Sequence, residues 1–566
     1  MRNKWIVTGW FCFVSLSLMA QNVIKVSPAE GDMTRTIQSA INKAYTYEGD
    51  AVTIELQNAD YHIFRESSSH RTYYVSNTTS ETENPDPTKH VGLLLKKLRN
   101  VTIDGKGARI IIHGEMSCFV IDSCQHITLK NFSVTSADPT VPEMLVTAVE
   151  DRTMVASIHP SSSYEIKDGR FSFVGHNWNL SGGIAQIYDS DREITWRSWS
   201  PLSQIEKVDE LKPDSVRFRY KNMPTLQPGW IFQMRDGVRD EVGGLIQYSN
   251  DVILEDIHFA FLGNFGIVGQ VSENITCRNL RFAPELGSGR TCAGFADFIQ
   301  MSGCKGTIRI EKSSFEGSQD DPINVHGTHL KVKAFLAPDK LLVRYMHPQT
   351  YGFQSFAEGD TIDIIDSHSL LPVMSCEVSK AEMNNCREIL LTLRQPVLKN
   401  MESGKDLVVE NVSCTPNVII RKNLFAKTPS RGILVTTRRE VLIEDNTFFR
   451  IPMSAILIAN DARSWFESGL VKNVVIRNNH FIECHSPVIS VAPENDENDG
   501  CVHRNIHIVN NRFDMRGGKI IFAKSVDGLY VNDNYLRVVE PEDIIQWTDT
   551  YECKNVKMDN NIVVHN

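Results

Sequence analysis

A short motif returns along most of the chain and leaves few folds open to it. Its clearest form is an alternating apolar run, then Asn, then a gap of one residue, then Phe. It reads Asn417-Val418-Ile419-Ile420-Arg421-Lys422-Asn423-Leu424-Phe425, then Val441-Leu442-Ile443-Glu444-Asp445-Asn446-Thr447-Phe448. It returns as Asn473-Val474-Val475-Ile476-Arg477-Asn478-Asn479-His480-Phe481 and Asn505-Ile506-His507-Ile508-Val509-Asn510-Asn511-Arg512-Phe513. Weaker copies end at Asn534 and Asn561, and earlier ones occupy 100–105, 126–132, 250–259, 274–282 and 307–315. Alternation on both sides of the Asn is the signature of short half-buried strands. Asn tolerates the left-handed backbone of a sharp corner, and stacked copies could bond side chain to side chain in a ladder. A second apolar strand follows each Phe, as in Ile323-Asn324-Val325, Gly432-Ile433-Leu434-Val435 and Ala455-Ile456-Leu457-Ile458. Units of about 23 to 34 residues with several strands and no helix between them predict a right-handed parallel β-helix, an all-β fold. One coil cannot bury its apolar face alone, so stacking closes the core. The Leu-x-x-Leu-x-Leu pattern of a leucine-rich repeat is absent, and a propeller would need longer units of antiparallel strands.

Two stretches break the rhythm, at 138–245 and 329–410. Both are strand-like and punctuated by turns such as Pro228-Gly229 and Glu358-Gly359-Asp360. A structureless loop of that length is improbable, so they are expected to be small β-barrels or sandwiches inserted between coils. The predicted organisation is therefore coils at 21–137, an inserted domain at 138–245, coils at 246–328, a second insertion at 329–410, and coils at 411–566. Ile37, Ala40, Ile41 and Ala44 share one helical face, with Asp32 and Thr34 placed to cap it. That helix would cover the open N-terminal end of the coil and blunt its sheet edge. Residues 1–20 pair a charged start, Met1-Arg2-Asn3-Lys4, with an apolar run ending Leu18-Met19-Ala20, the pattern of a cleaved secretory signal. The expected location is thus periplasmic or extracellular, with no membrane span. Beyond Cys12, the cysteines show no CxxC pair and no zinc spacing; Cys118 and Cys124 are a candidate bridge. A net charge of −10 without a basic cluster argues against nucleic acid as a partner. The inserted domains are candidate surfaces for a homodimer.

Asp320 and Asp321 stand side by side just before the strand that begins at Ile323, and Asp297 just before the strand Phe298-Ile299-Gln300-Met301. Aligned strand starts place Asp297 one rung from the pair, and rungs lie roughly 4.8 Å apart. Taken singly, each Asp is an ordinary corner residue. Three together are a poor structural device, since like charges raise each other's pKa. They suit the cleavage of a glycosidic bond, which needs one protonated acid and one ionised base. The same alignment brings Asn264 from the rung before and Ser430-Arg431 from the rung after. The loop from Pro284, with Glu285 and Arg290, and the insertion starting near His329 would wall the site. Candidate substrate contacts are therefore Asn264, Arg290, Asn324, His326 and Arg431. Calcium would want more oxygen ligands and no His cluster is present, so no metal or cofactor is expected. Few Arg or Lys residues fall near the aspartates in the sequence, which points to a neutral sugar.

Ala296-Asp297-Phe298, the run Gly317-Ser318-Gln319-Asp320-Asp321-Pro322-Ile323-Asn324-Val325-His326-Gly327 and the two insertions resemble glycoside hydrolase family one hundred and ten. Its members are exported bacterial α-1,3-galactosidases, some acting on blood group B antigen. The resemblance implies a β-helix core, an exo-acting inverting hydrolase, no metal, and a galactose-terminated glycan as substrate. Carried over by position, Asp320 corresponds to the general acid, and Asp297 with Asp321 to the pair that holds and deprotonates water. One subtype of that family is restricted to branched, fucose-bearing determinants and another also accepts linear ends; the broader range is the expectation here. More distantly the chain resembles polygalacturonases, which use clustered aspartates on a β-helix. A non-catalytic β-helix adhesin is the remaining alternative. Direct stacking brings the carboxylates nearer than the roughly 6.5–9.5 Å that inversion needs, unless their side chains diverge.

Overall fold

The computed structural model describes residues 22–397, 406–539 and 547–565; the expected signal at 1–20 lies outside them. The chain winds as a parallel β-helix. One sheet of twenty-two strands carries the Asn–Phe motif, and a second of thirteen strands carries the apolar run that follows it. Successive rungs pair in parallel and in register: Ile308 beside Val418, Val418 beside Val441, Val441 beside Val474, and Val474 beside Ile506. Equal registers stack like on like. Phe282, Phe315, Phe425, Phe448, Phe481 and Phe513 are fully buried and form a column of parallel rings 4.7–5.2 Å apart.

The Asn corners divide two tasks between two adjacent residues. The left-handed backbone falls on the residue before the ladder Asn: Lys422, Asp445, Asn478, Asn510, Asp533 and Asn560. The ladder itself runs through Asn423, Asn446, Asn479, Asn511, Asn534 and Asn561. From Asn446 onward each Oδ1 accepts both the backbone N–H and the Nδ2–H of the preceding rung's Asn at 2.9–3.1 Å, and Asn423 Oδ1 accepts the Ser313 N–H at 2.9 Å. In the earlier coils the ladder position holds Phe132, Ile257, Leu280 and Ser313, and the Asn of the motif there (Asn131, Asn279) takes the left-handed place instead. The expectation that one Asn both turns the corner and builds the ladder is thus corrected: a left-handed residue cannot also aim its amide into the core.

The helix Thr34–Lys43 caps the first coil with Ile37, Ala40 and Ile41 buried. Asp32 Oδ1 accepts from the Thr34 N–H at 2.9 Å and from its hydroxyl. Gln38 bonds both the N–H and the C=O of Leu94, pairing a sheet edge that would otherwise stand open. The eleven cysteines among the described residues are all free. The suggested Cys118–Cys124 bridge is absent there: Cys124 Sγ bonds Leu95 O at 3.4 Å, and burial pushes both thiols up, to about 12 and about 11.

Two separate cores leave the coil. From Glu143–Glu150 to Trp230–Arg235 a seven-stranded antiparallel sheet and a three-stranded one enclose Met144, Phe173, Phe218 and Phe232. From Leu330–Ala337 to Leu407–Asn411 six strands close a barrel around Val343, Ile364 and Leu391. The two insertions leave and rejoin on either side of the rungs that carry Asp297 and Asp320.

Asn479 sits mid-ladder, and its removal strands the Asn446 N–H and the Ile443 carbonyl in the core. Asn479→Ala should lower stability by about 2–4 kcal/mol. Asn478→Gly, at the exposed left-handed position, should stay within about 0.5 kcal/mol of wild type. Thermal unfolding followed by circular dichroism reads both, and equal melting temperatures would contradict the division of labour at the corner.

Candidate active site

Register places the acids. Strand Ile299–Ser302 pairs with Ile323–Thr328, residue 299 beside 323, and that strand pairs with Ile433–Val435, residue 323 beside 433. Two residues before each strand start, Asp297, Asp321 and Arg431 therefore form one column. Arg431 closes it, donating from its backbone N at 3.2 Å and from Nε at 3.1 Å to the Asp321 carboxylate. Two glycines make room. A Cβ on Gly266 would stand 2.1 Å from the Asp297 carbonyl, and one on Gly317 (φ 77°) would stand 2.6 Å from Thr291 O.

Asp320, one residue earlier, turns the other way, toward the first insertion. Arg197 on strand Ile194–Ser198 donates from Nη2 to Asp320 Oδ1 at 2.8 Å. Buried amides lock the same insertion to the acid loop. Gln186 Nε2 donates to Ser318 O at 3.1 Å, Gln319 Nε2 to Gln233 Oε1 at 2.9 Å, and Gln233 Nε2 to Thr291 Oγ1 at 2.7 Å. Arg235 and Arg239, at the insertion's return, pack over the rings of Phe295 and Phe265.

The three carboxylates are not equivalent. Burial, and then the charges of Asp320 and Asp321, push the Asp297 carboxyl well above the usual carboxylate range. Burial would raise Asp320 too, but the guanidiniums of Arg197, Arg239 and Arg235 outweigh it and hold Asp320 down. Burial raises Asp321 in spite of the bonded Arg431. Arg235, although brought to about 10 by its own burial, remains a cation at neutral pH. Within the cluster the proton is thus favoured on Asp297 and the charge on Asp320. Among the described residues, no three His, Cys, Asp or Glu side chains are arranged to hold a metal ion.

Asp297, Asp320 and Asp321 open into a cavity of about 230 Å³. Asn324, Leu434 and Leu457 face it from successive rungs, and Arg239 and Arg431 also line it. The remaining wall is assembled from distant segments: Asn77, and Asp461, Ser464, Trp465, Glu467 and Glu494 of the later coils.

Of the residues expected to contact substrate, Asn324 and Arg431 line this cavity, and Asn264, Arg290 and His326 do not. Asn264 misses by one residue: the register sets Phe265 beneath Asp297, while Asn264 faces a small void beside Glu115 and Thr140. Arg290 turns away to bond Glu143 at 3.0 Å, Val141 O at 2.7 Å and Ser161 Oγ at 2.9 Å, clamping the first insertion to the coil. Glu285 leaves the site to meet Arg109 at 3.8 Å. His326 is buried behind Asn324, its Nδ1 donating to Gly327 O at 2.6 Å. His329 is also buried, holding Asp461 O at 2.9 Å. The expected scarcity of cations is corrected as well: Arg197, Arg235, Arg239 and Arg431 surround the acids. Three of them come from the first insertion, and no local motif announces them.

A β-helix that presents three aspartates at one corner, one pushed toward its acid form and another toward its charged form, has the equipment of an acid–base glycoside hydrolase. Residues 142–232 match the GLAA-B beta-barrel domain I and residues 340–408 the GLAA-B beta-barrel domain II. Alpha-1,3-galactosidase A of Bacteroides thetaiotaomicron is 46% identical over 559 residues, covering 97% of this chain and 98% of that protein. Alpha-1,3-galactosidase A of Akkermansia muciniphila is 37% identical, covering 79% of this chain and 74% of its own length. Alpha-1,3-galactosidase B of Bacteroides thetaiotaomicron is 33% identical over 93% of this chain and 87% of its own. Among solved structures, the Yersinia enterocolitica family 28 exopolygalacturonase aligns with a TM-score of 0.35 and 10% identity, over 95% of this chain and 79% of that one. The chain belongs to glycoside hydrolase family 110, the family of these galactosidases. It is a glycoside hydrolase, which removes the adhesin alternative.

Arg290 and Glu143 are a buried pair, 7% and 1% exposed. Arg290→Ala should therefore act on stability, by about 3 kcal/mol or more, and leave KM of the folded enzyme within about twofold of wild type. A raised KM with an unchanged melting temperature would return Arg290 to the substrate.

Proposed function

We propose that this protein removes terminal α-1,3-linked galactose from the non-reducing ends of glycans, both blood group B-type and linear, by single displacement with inversion. The observation that carries the proposal is the corner cavity, where three aspartates of adjacent rungs meet a small cleft open to solvent. The names of the relatives supply the linkage and the sugar, and the cavity's size favours one terminal residue over a threaded chain. Its lining supports a neutral sugar on a new ground: with Asp297 left out as the proton holder, Asp320, Asp321, Asp461, Glu467 and Glu494 still outnumber Arg239 and Arg431. A polyuronate would meet net negative charge there. We also propose, from the Met1–Ala20 pattern, that the protein is exported; among the described residues no helix is long and apolar enough to cross a membrane.

In this mechanism Asp320 gives its proton to the glycosidic oxygen as the bond from C1 to that oxygen breaks. Asp297 and Asp321 hold a water on the opposite face. The water's oxygen bonds C1 and its proton passes to the pair. Support for inversion comes from the divergence of the neighbours: Asp320 is bonded to the inserted domain and Asp321 to the next rung. Carboxyls tethered to different neighbours in this way are the arrangement that could open the wider spacing inversion needs. The acid role requires the proton to leave Asp297. A leaving-group oxygen that enters between Arg197 and Asp320 takes away the guanidinium's hold, Asp320 rises, and the proton passes within the cluster.

Asp320→Asn should fold normally and lose roughly three or more orders of magnitude in kcat on Gal-α-1,3-Gal, with or without a fucose branch. Proton NMR of the first product should show β-galactose; α-galactose first would exclude inversion. Activity needs one proton in the cluster and one free carboxylate, so kcat/KM should be bell-shaped in pH. The alkaline limb follows loss of that proton. Removing a cation favours the protonated form, so Arg197→Gln should move the alkaline limb upward by roughly one unit. A downward or absent shift would separate Arg197 from the acid.

A further inference from the structure

Trp465 is 42% exposed, yet it lines the cavity beside the aspartates. Its neighbours fix the indole in place there. One face stacks on His347 of the second insertion, centroids 4.4 Å apart and planes 24° apart. Burial holds that imidazole below its ordinary value, so a neutral ring backs the indole. The loop beneath is fixed by Asp461, whose carboxylate accepts the N–H groups of Arg463 (2.8 Å), Ser464 (2.9 Å), Trp465 and Phe466 (2.9 Å). His329 ties the same loop to the root of the second insertion, its backbone N donating to Phe466 O and its Nδ1 to Asp461 O, both at 2.9 Å.

Two polar groups accompany the indole. Glu467, two residues on, accepts from Asn77 Nδ2 at 2.9 Å and meets Asn324 Nδ2 at 3.5 Å, both at Oε1. Asn324 is 5% exposed, and its Oδ1 is buried without a partner although the residue lines the cavity. An unpaired buried acceptor costs about 1–3 kcal/mol, a cost that a bound hydroxyl would remove.

Resting on the galactosidase reading above, we propose that Trp465 is the sugar-recognition platform of the site: the galactosyl ring lies on its free face, with Glu467 and Asn324 accepting that ring's hydroxyls. The epimer preference follows from sugar chemistry. In galactose the axial O4 leaves C3, C4, C5 and C6 as one continuous apolar face, and an aromatic ring buries it. In glucose the equatorial O4 interrupts that face. The platform therefore selects the sugar, while the aspartates, on another element, break the bond.

The test compares wild type, Trp465→Ala, Trp465→Phe and His347→Ala. KM and kcat are measured on Gal-α-1,3-Gal, and galactose and glucose binding is followed by calorimetry on the otherwise intact Asp320→Asn background. Trp465→Ala should raise KM and the galactose Kd by about tenfold or more. Trp465→Phe should recover most of the loss, and His347→Ala should fall between. The melting temperature should hold, because the indole is half exposed. Unchanged galactose affinity in Trp465→Ala, equal loss in Trp465→Phe, or glucose bound as well as galactose would overturn the platform. Absence of hydrolysis by wild type would instead overturn the galactosidase reading, and the binding arms would still decide the platform.

Discussion

Everything in this molecule hangs on rungs that stack in parallel without slipping. A shift of one residue would turn every apolar side chain of a strand to the wrong face. Two columns prevent it. The phenylalanine rings, each 4.7–5.2 Å from the next, fill one corner of the core. The Asn ladder ties the next turn of backbone to the one before it through paired amide bonds. Once the rungs are locked, a position in the motif becomes a position in space. Asp297, Asp321 and Arg431 are neighbours because each lies two residues before its strand, although 110 residues separate Asp321 from Arg431 along the chain.

The site is costly to build on such a scaffold. Three buried or half-buried carboxylates repel one another, and an apolar corner would not keep them charged. The cations that relieve this come mostly from outside the helix. Arg197, Arg235 and Arg239 belong to the first insertion, and the Gln186–Gln233–Gln319 amides fix that insertion's distance from the acid loop. The inserted domain is thus an electrostatic part of the catalytic corner as well as a wall beside it. Its arginines lower Asp320 relative to Asp297, so the distribution of charge within the cluster depends on how the insertion is seated.

This divides what the sequence discloses from what it hides. The β-helix was legible because it rests on periodicity, which needs no knowledge of distant contacts. So was the meeting of Asp297 with Asp320 and Asp321, because aligned strand starts imply it. The sequence misleads in two ways. Asn264 lies one residue from the column that aligned strand starts imply, since corners vary in length and only the register shows that Phe265 lies beneath Asp297. Arg290 and His326 carry suitable chemistry near the acids in the chain, but both side chains are occupied in packing. What could not be read at all arrives by docking. Arg197 reaches Asp320 across 123 residues, and Glu467 reaches Asn324 across 143. No local pattern in either segment marks it, because the signal is the seating of one folded unit on another.

The same division has a consequence for how such a site can change. The acids stand at a corner between in-register rungs. Of the residues proposed to hold the sugar, Asn324 shares those rungs, whereas Trp465 and Glu467 stand on the segment that follows Asp461. Substitution in that segment can reshape the cavity without disturbing a ladder bond or a ring in the stack, whereas a change at the corner disturbs both chemistry and core. Recognition should therefore drift more readily than the reaction. The limit on that drift is the Asp461 carboxylate: with four backbone N–H groups gathered on it, the Trp465 loop can change its side chains far more cheaply than its path.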